Sequence, residues 1–169
     1  MKKIIMFALL IGFLVSVSNA LDLAVEKEKL VADQTNFTFG LGWAGNEFLG
    51  GITRDGLDNP KTAYGLNNWL GFSYTWIYGA PTEQEILAAV DAVVAEEEGA
   101  ASLRSYDLKR LTKQKLNIGS YSYFRIGTVY LVLPLIAQYG WMWPVGDVGR
   151  FQIGLGLPLL FNVGINFDF

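Results

Sequence analysis

The chain has 169 residues, with 13 Lys and Arg against 16 Asp and Glu, no histidine and no cysteine. A formal charge of −3 gives the chain no evident nucleic-acid role, because phosphate binding needs a basic patch. The missing cysteine excludes disulfides, a lipoprotein anchor and the usual Cys/His zinc sites. The missing histidine removes the commonest general base at neutral pH. No enzyme activity, cofactor or metal is therefore expected.

Lys2 and Lys3 precede an apolar run from Ile4 to Val15, then Ser16-Val17-Ser18-Asn19-Ala20 with small residues at Ser18 and Ala20. This pattern is a secretory signal peptide over residues 1–20, too short for a stable membrane helix. Cleavage after Ala20 leaves 149 residues, and loss of the two lysines takes the charge from −3 to −5. No other window offers the ~20 consecutive apolar residues of a membrane helix. The exported chain is therefore expected either to be soluble or to form a barrel. One domain is expected over residues 21–169.

The stretch from Thr35 to Gly79 reads as strands. Phe37, Phe39, Leu41 and Trp43 alternate with Asn36, Thr38, Gly40 and Gly42. Side chains alternate faces along a strand, so one face is oily and the other small or polar. Ala44 to Glu47 is a turn, Phe48 to Arg54 a Gly-broken strand, and Asp55 to Lys61 a polar loop. Asp55, Asp58 and Asn59 are turn formers, lacking the spacing of a calcium loop. From Leu66 to Tyr78 apolar residues again alternate with Asn67, Gly71, Ser73 and Thr75, with a break at Asn68 and Trp69.

Pro81 to Leu116 reads as helix. Thr82 and Glu85 have capping-box spacing, Ile86, Val90 and Val93 follow at helical spacing, and Gly99 is a stop. Up to Glu98 this segment is acidic. Arg104, Lys109, Arg110, Lys113 and Lys115 make the next one basic. The two either fold back on each other or present two solvated faces; charge alone would not hold a hairpin.

Asn117 to Phe169 carries four charged residues in 53: Arg125, Asp147, Arg150 and Asp168. Every odd position from Phe151 to Phe169 is apolar, ten in phase. Nineteen residues exceed the 9–11 of one membrane strand, so a turn is expected near Pro158. Val129 to Tyr139 is apolar on both faces, and Pro134 within it implies a bulge or an edge.

These patterns predict an all-β, antiparallel transmembrane barrel with a helical insert at about 82–116. Lipid offers a backbone amide no partner, so a strand-built membrane protein must close on itself, oily outside. Inward glycines suit a narrow barrel whose interior side chains fill. Trp43, Trp76, Tyr78, Tyr139, Trp141 and Trp143 are expected at the membrane–water boundary. In a soluble β-barrel or sandwich the same apolar faces would point inward. Seven segments are clear: 35–43, 48–54, 66–78, 117–126, 128–139, 149–157 and 159–169. Eight strands are expected, the eighth within Ala101 to Thr112; six follow if 149–169 is one strand.

If the odd positions face lipid, then Arg150, Gln152, Asn162, Asn166 and Asp168 face inward. Arg125 does so too, with Gly119, Tyr121 and Tyr123. Arg125 or Arg150 is expected to meet an acid such as Asp168 across a filled interior.

In its signal peptide, alternating strands and final residues the chain resembles the small eight-stranded outer-membrane β-barrel proteins of bacteria. Asn162, Gly164, Phe167 and Phe169 stand where that class carries its terminal assembly signal. The resemblance implies outer-membrane lipid and the barrel-insertion machinery as partners. It leaves any extracellular or periplasmic partner unknown. A structural, surface-interaction or adhesion role is expected first, a narrow pore or small-molecule channel second, and a secreted soluble binding barrel third.

Overall fold

The computed structural model describes residues 23–96, 103–130, 132–146, 148–157 and 161–169. The leader expected over residues 1–20, the stop expected at Gly99, Asp147 and the turn expected near Pro158 lie outside them. Two compact units are present: residues 33–81 with 118–169, and residues 1–32 with 82–117.

The first unit is a closed antiparallel barrel of eight strands, each paired with its neighbour in sequence and β1 closing on β8. The strands are β1 (Gln34–Trp43), β2 (Glu47–Arg54), β3 (Pro60–Asn67), β4 (Phe72–Tyr78), β5 (Tyr121–Val129), β6 (Val132–Val145), β7 (Gly149–Leu157) and β8 (Asn162–Asp168). Closure leaves no strand edge unpaired. The β1–β8 seam runs from Thr38↔Asp168 to Trp43↔Val163. Beyond it, Phe37 and Phe169 exchange backbone hydrogen bonds at 2.9 and 2.7 Å.

The eighth strand is not where the sequence reading put it. Residues 105–116 are helical, and the strand is β3. The segment 66–78 is two strands, because the chain turns at 68–71, where Leu70 has φ 55°. The break at Asn68 and Trp69 is that turn. Pro60 sits at the first position of β3, where its missing N–H costs no ladder bond.

Side chains follow the period-two pattern. Leu41, Trp43, Tyr74, Tyr78, Tyr139, Trp141, Leu155 and Leu157 are exposed, while Thr75, Tyr123, Gln138, Gln152, Asn162 and Asn166 are buried. Phase is kept from β7 into β8. At Phe48 the β2–β3 register slips. Phe48 and Leu49 both point out, and Glu47 turns in. A second slip lies between Thr128↔Leu135 and Val129↔Val132, at Pro134. A Cβ on Gly164 would meet Asn46 Oδ1 at 2.5 Å. Glycine there makes the room that an interior Asn46 occupies.

Among the described residues the second unit holds three helical segments: α1 (23–31), α2 (Glu83–Glu96) and α3 (Ser105–Leu116). α1 has no counterpart in the sequence reading. The capping box forms: Thr82 N donates to Glu85 Oε2 at 2.7 Å, and Glu85 N to Thr82 Oγ1 at 3.3 Å. Leu30, Ile86, Val90, Val93 and Leu108 are buried, while Lys27–Asp91 and Lys115–Glu96 are exposed ion pairs at 2.5 Å. Exposed pairs contribute about 0–1 kcal/mol each, so apolar packing holds this unit. α3 ends on Asn117 in the left-handed conformation, φ 47°.

Acid should loosen the helical unit. The Thr82 amide and hydroxyl hold the Glu85 carboxyl below its ordinary 4.5. Lys29 and Ser105 do the same for Glu26. A carboxyl depressed by folding stabilises above its unfolded value and loses that contribution as pH falls through the folded one. The protection of residues 82–96 against hydrogen exchange, taken relative to the intrinsic amide rate at each pH, should therefore fall below pH 4.5. Thr82→Ala should cost about 1 kcal/mol of helix stability at neutral pH.

Candidate functional site: a charged interior

Every charged side chain on the described strands except Lys61 is buried. Arg125 is 0%, Glu47 1%, Arg150 2%, Asp168 2% and Arg54 7% exposed. Lys61, near the start of β3, pairs with Asp33. Isolated buried charges cost several kcal/mol each, so these must be paired.

They form one alternating run. Arg125 on β5 meets Glu47 Oε1 at 3.2 Å. Glu47 Oε2 lies 3.8 Å from Arg150 Nη2. Arg150 on β7 grips Asp168 on β8 with two bonds, Nε to Oδ2 at 2.7 Å and Nη2 to Oδ1 at 2.8 Å. Arg54 on β2 donates to the same Asp168 Oδ2. The planar guanidinium fork matches a carboxylate, which makes the Arg150 pair directional as well as charged.

Arg125 is the best-supported member. It also donates to Thr75 Oγ1 at 2.9 Å, Gln152 Oε1 at 3.1 Å and Gly45 O at 3.2 Å, and lies 5.1 Å from the Tyr123 ring centroid. Thr75 in turn donates to Glu47 Oε1 at 2.5 Å. With Tyr123, Gln138 and Gln152 buried against Arg125, and Met142 buried against Arg150, this level of the barrel is packed with side chains.

The β1–β2 turn folds inward above this level. Ala44 (φ 58°) and Gly45 (φ 78°) both adopt the left-handed conformation, and Ala44 and Asn46 are 1% and 0% exposed. Side chains from distant strands hold it. Gln138 Nε2 donates to Ala44 O at 2.5 Å and Asn162 Nδ2 to the same oxygen at 2.9 Å. Asn68 Oδ1 accepts from Gly45 N at 2.8 Å, and Gln152 donates to Asn46 Oδ1. A non-glycine residue at positive φ stores strain, which this bonding offsets. Residues 44–47 of the turn are all buried inside the barrel.

The residues expected inside are there: Arg125, Arg150, Gln152, Asn162, Asn166 and Asp168 are buried. Arg150 meets Asp168 as expected, whereas the acid facing Arg125 is Glu47. Tyr121 and Tyr123 share the buried face, but Gly119 precedes β5 and is exposed. Of the positions expected to form an assembly signal, Asn162 bonds inside the barrel: its Oδ1 accepts from Tyr123 Oη at 3.1 Å. Gly164 faces Asn46, Phe167 is half-buried and Phe169 is 67% exposed.

Glu47 and Arg54 escaped the sequence reading because a turn and a Gly-broken strand gave them no clear face. The available signal was charge: Glu47 is the lone acid between Asp33 and Asp55. Asp55 and Asn59 are turn formers as expected. Asp55 Oδ1 accepts from the amides of Leu57 and Asn59 at 2.9 and 3.0 Å, and burial pushes its carboxyl above the usual range. Among the described residues no group of three or more His, Cys, Asp or Glu is placed to hold a metal.

No protein-family model, curated protein or solved structure matches the chain. The fold itself defines the class: a closed eight-stranded antiparallel β-barrel, the architecture of the small barrel proteins.

Proposed function

We propose that the chain is an exported outer-membrane β-barrel protein of a bacterium, with a structural or surface-interaction role and a filled interior. One observation carries this reading: the polarity of the barrel is inverted. Apolar and aromatic side chains cover the outside, and every strand charge but Lys61 lies inside. Water would favour the opposite arrangement, whereas hydrocarbon favours this one. A secreted soluble barrel requires inward apolar faces, and here Leu41, Leu135, Leu155 and Leu157 face outward at 55–65% exposure. Outer-membrane lipid and the insertion machinery are the partners this reading entails.

A narrow pore is the competing role. The packed level around Arg125 and the inward β1–β2 turn favour a closed interior. Purified protein in planar bilayers should show no stable conductance, and large ohmic openings would make the pore the leading function. Protease added to intact cells and to opened envelopes should cut within 82–116 from one side only and spare the strands. Protection of that segment from both sides would contradict a water-exposed insert.

A further inference from the structure

We propose that the β3–β4 and β5–β6 turns are lipid anchors, whose tips, Leu70 and Tyr130, sit at headgroup level and hold that end of the barrel in the bilayer interface. The inference rests on the membrane reading above.

Both tips are strained. Leu70 has φ 55° and Tyr130 φ 51°, a region where a bulky side chain crowds its own backbone. Asn or Gly adopts it at little cost and usually fills such turns. Leu70 and Tyr130 are nevertheless 64% and 72% exposed, so packing within the protein does not account for large apolar groups there. The turns also lack what water would reward. Between Thr62 and Pro81, and between Asn117 and Gly146, the only charged residue is Arg125, and it is buried. The polar side chains of the first turn face backbone: Asn67 Oδ1 accepts from Trp69 N at 2.9 Å, and Asn68 Nδ2 donates to Gly42 O at 2.6 Å. The tips' own amides are bonded as well, Leu70 N to Asn67 O at 3.0 Å and Tyr130 N to Trp69 O at 3.1 Å. A turn that meets lipid needs its backbone groups satisfied in this way.

Continuity and height name the occupant. The oily outer surface runs on into the tips: Phe72, two residues from Leu70, is 60% exposed and Leu135 is 61% exposed. At the other end of these strands Tyr78 and Trp141 face outward in one cross-strand row with Ser122. Such rings mark a membrane–water boundary. Tyr78 is eight residues from Leu70, and Trp141 is eleven from Tyr130. At ~3.4 Å per residue and a strand tilt of ~40°, the heights are ~21 and ~29 Å. They bracket the ~25 Å apolar band of such barrels, which puts the opposite boundary at Leu70 and Tyr130.

The chain has no cysteine, so Leu70→Cys and Tyr130→Cys can each carry a single fluorophore in the full-length protein, folded into phosphatidylcholine vesicles. A nitroxide on the lipid headgroup should quench both labels several-fold more than one at the acyl-chain terminus. Iodide in the water should quench them several-fold less than in the same chain unfolded in urea. Leu70→Asn/Tyr130→Asn, unlabelled, supplies a second readout, because Asn tolerates the left-handed conformation. In water that relief would raise the urea midpoint, whereas in vesicles the midpoint should fall below the parent's. Folded labels as open to iodide as in urea, stronger quenching from the acyl terminus, or a double variant with a raised midpoint in vesicles would each overturn the proposal. A chain that fails to enter the vesicles, showing no heat-dependent gel shift, would instead refute the membrane reading.

Discussion

Replacing Glu47 with alanine should destabilise the barrel by about 3–5 kcal/mol, the range for removing one partner of a buried ion pair. Glu47 stands between Arg125 at 3.2 Å and Arg150 at 3.8 Å and accepts the Thr75 hydroxyl. Without it, Arg125 keeps neutral partners only, in a place where it has no exposed surface. Arg150 keeps Asp168, so most of the loss falls on Arg125. Glu47→Gln should cost less, because it keeps an oxygen for Thr75. A double change of Glu47 and Arg125 to apolar residues of similar volume should cost less than the sum of the singles, since no unpaired charge remains. Denaturant unfolding of the refolded barrel, followed by tryptophan fluorescence, measures each. A loss under about 1 kcal/mol for Glu47→Ala would show that this run of charges does not hold the barrel.

Ile126→Arg should be nearly as damaging, for the opposite reason. Ile126 is 41% exposed, in the middle of the outer surface between Tyr74 and Ala137. On a water-facing surface such a change stays within about 0.5 kcal/mol. Against hydrocarbon an arginine near the midplane costs about 2–4 kcal/mol. Val145→Arg, at the end of β6, should cost about 0–1 kcal/mol, because the penalty falls toward the interface. Unfolding from lipid vesicles gives both values. A depth-dependent pair of costs supports lipid outside, and two near-zero values argue for water there.

The outer surface was legible in the sequence because period-two patterning depends on local chain geometry alone. The phase from Phe151 to Phe169 places Gln152, Asn162, Asn166 and Asp168 inside without knowledge of any neighbour. β3 was harder to see. It starts on Pro60, carries Gly65 and runs straight into a tight turn, so its alternation merges with that of β4. The run of charges was only partly legible. Arg150 and Asp168 lie in strands with a clean alternation, and their facing follows from parity. Glu47 faces inward because of the slip at Phe48, a property of the β2–β3 pairing that no single-strand pattern encodes. The inward turn at Ala44 and Gly45 was hidden for the same reason: side chains of Gln138 and Asn162, about 94 and 118 residues away in the chain, hold it.

The central claim is that the oily outside of this barrel faces outer-membrane lipid. Envelope fractionation followed by gels of boiled and unboiled samples tests it most directly. The account predicts a mature chain in the outer-membrane fraction that requires detergent for release and migrates differently once boiled. A chain released with the soluble periplasmic proteins, needing no detergent and showing no heat-dependent shift, would contradict it.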